Sequence, residues 1–339
     1  MKAVEFRKLN SLLDTDPLVR PPAFAVENAI RCAVLIPCFN EEKTIGPMVA
    51  AFQAVLPTAE IFVYDNNSTD LTAQRAREAG ATVRKSSLQG KGETVRLMFA
   101  DISADVYILV DGDGTYEAAA APRLVQALLD DRLDMVSAAR EACDAGAYRL
   151  GHAFGNRMLT GLVRMAFGRR FRDMLTGYRV FSRRFVKSFP AASSGFEIET
   201  ELTVHALQMR LPACEYGTVY RSRPEGSESK LSTIRDGLRI FRMIILLLRD
   251  ERPLQFFGCG ALMSFLLSAL LITPIFSTYL QTGLVPRLPT LIVAVGFAAI
   301  GLLSFACGLI LDAVARGRLE QRRFAYLAAS GTPVGEDRK

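Results

Sequence analysis

Hydrophobic and polar positions fall into two textures along this chain. Up to about residue 230, short apolar runs of strand length are separated by stretches with helical spacing. "CAVLIP" (32–37), "EIFVYD" (60–65), "ATVRK" (81–85), "DVYILVD" (105–111), "LDMVSAAR" (133–140), "GYRVFSR" (177–183) and "CEYGTVYRSR" (214–223) predict strands. Helices are predicted after the first strand with Glu41 and Glu42 in the opening turn, and over 68–80 with a Ser or Thr cap and Gly80 as the stop. Others follow in "KGETVRLMFADI", over 151–168, and over 195–210 with Glu197, Glu199 and Glu201 near the start. Regular alternation of strand and helix predicts an α/β domain over 31–228, a mostly parallel, Rossmann-like sheet covered by helices, after a polar lead at 1–30.

The second texture is unbroken apolarity. No charged residue occurs over 253–286, nor over 288–311, and about 20 apolar residues suffice for a helix to span a bilayer. A two-helix transmembrane hairpin over 253–312 is the prediction. Arg242, Arg249 and Arg252 precede it, Arg316, Arg318, Arg322 and Arg323 follow it, and only Arg287 lies in the turn, which puts both ends in the cytosol. The segment 229–252, with Arg235, Arg239 and Arg242 on a progressively apolar helix, predicts an interfacial helix, and 313–339 a cytosolic basic tail.

Composition adds three restrictions. The 50% hydrophobic content is concentrated in the hairpin, and the net charge of +6 is concentrated around it, so lipid head groups account for the basic excess better than nucleic acid. Six cysteines without close pairing and two histidines call for neither disulfides nor a His-rich metal site. The opening "MKAVEFRKLNSLLDTDPLVRPP" lacks a signal-peptide core, so the large domain is expected on the cytosolic side of the inner membrane.

Candidate chemistry gathers where strands end. In open α/β sheets ligands sit outside the carboxyl ends of the strands, and Pro37 to Asn40, Asp65 to Asn67 and Asp111 to Asp113 all fall there. Asp111 and Asp113, one residue apart among glycines, suit Mg²⁺ or Mn²⁺ held against a diphosphate. Two carboxylates from one loop fit a shared cation better than the opposed acid and base of glycoside hydrolysis.

The ordered set "IPCFNEEKTI", "VYDNNSTDLT", "GKGETVR" and "VDGDGTY" resembles the family 2 glycosyltransferases with the GT-A fold. The later "DMLTGYRVFSRR", "GFEIETEL" and "RPEGSESKLS", followed by a hairpin, resemble the polyprenyl-phosphate branch, close to dolichyl-phosphate mannose synthases and bacterial glucosyl relatives. The resemblance covers residues 32–315. It implies transfer of one sugar, with inversion, from a nucleotide sugar to a polyprenyl (undecaprenyl or dolichyl) phosphate, UDP-hexose being the first choice of donor and GDP-mannose the second. Pro37, Asn40 and Glu42 would shape the nucleotide pocket, Asp65 would contact the base, and Gly90 and Lys91 would approach the nucleotide. Asp111 and Asp113 would hold the metal. The acceptor phosphate is already anionic, with a second pKa of about 6, so what it needs is positive charge: Arg140, Arg223 and Lys230, with Ser229. Asp173 is a candidate base or a group that orients the acceptor site. Relatives of this kind can assemble as oligomers through their membrane helices, so a homo-oligomer is compatible with the sequence, which fixes no number.

One departure stands out: where the family has D-D-G-S, this chain has Asp65, Asn66, Asn67 and Ser68. Absence of any tryptophan removes the Gln-x-x-Arg-Trp motif of processive synthases. Two other functions share part of this pattern. A strand with D-x-D-G-T also resembles haloacid-dehalogenase-like phosphatases, with Asp111 as nucleophile and Asp113 as acid, but three strand units precede it here. The other is a membrane-tethered protein that binds a nucleotide sugar without turnover.

Overall fold

A strand with apolar side chains on both faces has to lie inside a sheet covered on both sides. The first strand, β1 (Cys32–Cys38), is of that kind, and in the computed structural model it runs through the middle of a seven-stranded sheet. The structure describes residues 30–142, 161, 171–221, 241–242 and 245–331. The remaining strands are β2 (Glu60–Asp65), β3 (Thr82–Lys85), β4 (Val106–Leu109), β5 (Met135–Ala142), β6 (Arg179–Ser182) and β7 (Ala213–Tyr220), in the order β3-β2-β1-β4-β6-β5-β7. All pairings are parallel except those of β6, which is antiparallel to β4 and β5. The expectation of a mostly parallel α/β sheet is met, and every predicted strand is present.

Side-chain alternation along β1 divides the core in two. Val34, Ile36 and Cys38 face α1 (Ile45–Val55), α2 (Thr72–Glu78) and α4 (Ala121–Asp130). Ala33 and Leu35 face α3 (Lys91–Asp101), α5 (Arg183–Ser188) and α6 (Ile198–Gln208). Pro37 is tolerated in a central strand because the β4 ladder ends at Leu35, so its missing N–H leaves no gap there.

Two helix starts differ from expectation. Helix α1 begins at Ile45, and Glu41 and Glu42 lie ahead of it, where the Glu41 carbonyl accepts from Thr44 and Ile45 N–H. Helix α2 begins at Thr72 without a Ser cap, because Ser68 Oγ instead accepts from Asn40 N at 2.9 Å. Gly80 stops α2 as expected, at φ +91°. The helix expected over 151–168 lies outside the described residues apart from residue 161, and so does most of the interfacial segment 229–252.

Helices α7 (Pro253–Thr282) and α8 (Leu288–Ala328) form the hairpin, and both are long and apolar enough to cross a membrane. Small residues pack between them: a Cβ on Gly301 would stand 3.0 Å from the Phe265 ring, and Ser268 Oγ donates to Ala294 O at 2.7 Å. Their outer faces leave Leu266, Leu270, Leu302 and Leu303 exposed. Where a basic tail is expected from 313, α8 continues to Ala328, roughly 60 Å of unbroken helix in all. Its last turns rest on the sheet domain, where Arg322 donates to Gln208 Oε1 at 2.9 Å and Tyr326 Oη to Asp134 Oδ2 at 2.9 Å, and Arg322 also donates to Glu251 Oε1, just ahead of α7, at 2.8 Å.

Candidate active site

The turn after β4 is shaped by its glycines. Gly114 has φ +73°, a conformation that side-chain-bearing residues rarely adopt. A Cβ on Gly112 would come 2.5 Å from Cys38 Sγ, so the turn lies flat against the end of β1 only with glycine there. Thr44 Oγ1 ties the entry of α1 to this turn by donating to Gly112 O at 2.6 Å. Asp113 is buried, and its Oδ1 accepts from Thr115 N at 3.1 Å and Thr115 Oγ1 at 2.6 Å. Asp111 is the more open of the pair, with 27% of its side chain exposed.

Lys91, the first residue of α3, inserts its ammonium between Asp111 and Glu199 and makes an ion pair with each. Burial opposes its charge, yet the two carboxylates outweigh burial and hold its pKa above the ordinary lysine value. Burial pushes Asp111 up to about 6, Lys91 works against that rise, and Asp113 and Glu199 add to it. Gly177 closes in from the other side: a Cβ there would stand 2.1 Å from Asp111 Oδ2.

Ahead of Lys91 the chain is gripped by Asn66. Its Nδ2 donates to Leu88 O at 2.5 Å and its Oδ1 accepts from Gly90 N at 2.8 Å. Gly90 has φ +138°, and a Cβ there would lie 2.2 Å from Ser194 O. Nearby, Asp65 Oδ1 accepts from Ser68 N at 3.1 Å, Asn40 Oδ1 from Thr69 N at 2.8 Å, and Glu42 Oε2 from Leu71 N at 3.1 Å. The ends of β1 and β2 are thereby locked together into one polar rim.

Arg140, near the end of β5, and Asp173 form a forked pair, Nε to Oδ2 at 2.7 Å and Nη2 to Oδ1 at 2.8 Å. The Arg140 guanidinium also lies 5.5 Å from the Tyr220 ring centre, and Tyr220 packs edge-on against Tyr116 at 5.2 Å. Since β5 runs parallel to β4 through antiparallel β6, this pair stands on the same rim as Asp111.

Pro37, Asn40, Glu42, Asp65, Gly90, Lys91, Asp111, Asp113, Arg140 and Asp173 are thus brought to one end of the sheet. Arg223, Ser229 and Lys230 lie outside the described residues. No sequence motif gives a role to Asn66, Glu199, Glu215, Tyr116 or Arg179, all of which contact this site or its support. The one available signal was three glutamates, Glu197, Glu199 and Glu201, opening a helix that turns out to be buried along its length.

The Glycosyl transferase family 2 profile matches residues 33–189. Glycosyltransferase AglJ of Haloferax volcanii is 34% identical over 226 residues, 66% of this chain and 74% of the relative. Protein RfbJ of Shigella flexneri is 50% identical over 126 residues, 37% of this chain and 98% of its own length. A dolichyl-phosphate hexose transferase of Haloferax volcanii is 26% identical over 221 residues, 65% of this chain and 95% of the relative. Among solved structures, glucosyl-3-phosphoglycerate synthase from Mycobacterium tuberculosis, in complex with Mn²⁺, UDP and glucosyl-3-phosphoglycerate, superposes with a TM-score of 0.54 at 23% identity. That superposition covers 65% of this chain and 79% of the other, and at such identity it speaks for the shared fold.

Proposed function

Because this chain belongs to glycosyl transferase family 2, we propose that it moves one sugar from a nucleotide diphosphate sugar to polyprenyl phosphate, with inversion, at the cytosolic face of the inner membrane. One juxtaposition carries this reading. The Lys91–Asp111–Asp113 cluster, suited to a diphosphate and a cation, shares a rim with the Arg140–Asp173 pair, suited to a phosphate, in a domain fastened to an apolar hairpin. The relative named for dolichyl-phosphate hexose transfer supports the acceptor. UDP-hexose is the favoured donor.

The residues fit a divalent cation. Glu199 Oε2 is buried and has no hydrogen-bond partner among the described residues, and the carboxylates around Lys91 outnumber it, so the cluster is short of positive charge. Among the described residues no group of three or more His, Cys, Asp or Glu side chains could hold an ion unaided. Asp111 and Asp113 would therefore supply the protein's share of the ligands, with donor diphosphate oxygens and water supplying the rest, as Mg²⁺ and Mn²⁺ accept. When bound, the cation offsets charge on the departing diphosphate.

The chain's own residues do the positioning. Lys91 brings one cation to the diphosphate, and Glu199 keeps that ammonium in place. Arg140 receives the acceptor phosphate and directs it in line at the anomeric carbon. No strong base is demanded, since the acceptor oxygen already carries its charge. Both carboxylate oxygens of Asp173 engage Arg140, which fits a group that orients the guanidinium better than one that takes a proton.

The test is incubation of the detergent-purified protein with Mg²⁺, polyprenyl phosphate and a panel of radiolabelled nucleotide sugars, counting label that enters the organic phase. Transfer from a UDP-hexose, lost in Asp113→Ala, is the expected outcome. Folded protein that binds nucleotide but transfers from no donor would instead support a tethered binding protein.

A further inference from the structure

A guanidinium buried without a counter-charge at contact distance calls for a structural reason. Arg179 on β6 is 1% exposed, and among the described residues no carboxylate forms a salt bridge with it. Its Nη2 donates to Met174 O at 2.6 Å and its Nε to Thr176 O at 3.2 Å. Burial lowers its pKa to about 10, against the opposing pull of Glu199 and Asp173, so it stays charged at neutral pH.

From β7, one strand beyond β5, Glu215 grips the other end of the same segment. Its carboxylate accepts from Arg172 N at 2.9 Å and from Asp173 N at 2.9 Å. Between these two anchors, Thr176 Oγ1 donates to Ala138 O at 2.6 Å and Gly177 N donates to Tyr116 Oη at 2.8 Å. Residues 172–177 have no regular secondary structure. Their backbone is satisfied instead by side chains from β6, β7 and the turn after β4.

This segment touches both halves of the site. At one end Asp173 holds Arg140 in its forked pair, and at the other Gly177 abuts the Asp111 carboxylate. Any slack between 173 and 177 would change the spacing between the phosphate-binding guanidinium and the cation-binding carboxylate.

We propose that Arg179 and Glu215 are positioning residues that hold 172–177 as a fixed strap, setting the distance between the donor side of the site at Asp111 and the acceptor side at Arg140. This deepens the proposed transfer reaction and rests on it, while the exchange readout tests the strap by itself.

The test uses the full-length protein in detergent. Amide hydrogen exchange at 172, 173 and 177 is expected to be slow in the wild type and faster by roughly tenfold or more in Arg179→Lys, which keeps the charge but loses the fork, and in Glu215→Gln, with the rest of the sheet unchanged. In the transfer assay the KM for polyprenyl phosphate should rise roughly tenfold in both variants while the donor KM holds. Equal exchange in all three proteins overturns the proposal. So does faster exchange with an unaltered acceptor KM, which would leave the segment a merely structural loop. If one variant fails to fold, the other carries both readouts. A wild type that transfers no sugar counts against the reaction, and the exchange comparison still decides on the strap.

Discussion

Asn66 uses both ends of its amide, donating to Leu88 O and accepting from Gly90 N, and this accounts for an asparagine where the resemblance leads one to expect the second aspartate of D-D-G-S. A carboxylate there would keep the bond from Gly90 but turn an anion toward the Leu88 carbonyl. Asn66→Asp should therefore loosen 88–90 and, if the proposed UDP donor is the right one, weaken UDP binding roughly tenfold, about the loss of one well-made hydrogen bond, as titration calorimetry would register. His205 offers a second check at this scale. It is buried between Phe185 and Phe189, with ring centres at 5.1 and 5.4 Å, and Nε2 is 3.1 Å from Ser188 Oγ. Burial, helped by Arg322, lowers its pKa to about 3. The unfolded chain takes up that proton near pH 6.5 and the folded chain does not, so stability present above 6.5 is lost as pH falls below it. Thermal unfolding from pH 7 to 5 should show the decline, and His205→Gln should flatten it.

At the scale of elements, α3 and the segment leading into α6 meet backbone to backbone. A Cβ on Gly92 would lie 2.1 Å from Ser193 O, and Gly92 N donates to Ser194 O at 3.0 Å. Two effects oppose each other in Gly92→Ala. Helix propensity favours alanine by about 1 kcal/mol, while a backbone carbonyl cannot swing aside as a side chain can. The clash should win, with a net loss of about 2 kcal/mol in denaturant unfolding and a weaker hold on the neighbouring Lys91. The strands were legible because their apolar runs have strand length and end in turn residues. Helix starts were less so. Glu42 and Ser68 look like first-turn and capping residues, but their side chains engage partners on a neighbouring loop, which no local pattern records.

For the whole molecule, the second membrane-length helix does more than return. It runs past the apolar stretch and docks on the sheet domain through Arg322 and Tyr326. The Arg322–Glu251 pair is shielded, with 18% and 12% of the side chains exposed. Arg322→Ala leaves that glutamate unpaired and should lower stability by up to about 3 kcal/mol, seen as a reduced unfolding temperature of the detergent-solubilised protein. The sequence by itself determined the α/β class, the hairpin, and the rim residues Asp65, Lys91, Asp111 and Asp113, because strand length, bilayer thickness and glycine-flanked carboxylates all leave local marks. Tertiary structure alone decided that Lys91 pairs with Glu199, that Asp173 engages Arg140, and that Arg179 and Glu215 hold the segment between them. Those contacts join residues tens to more than a hundred positions apart, and only the order of strands in the sheet brings them within reach.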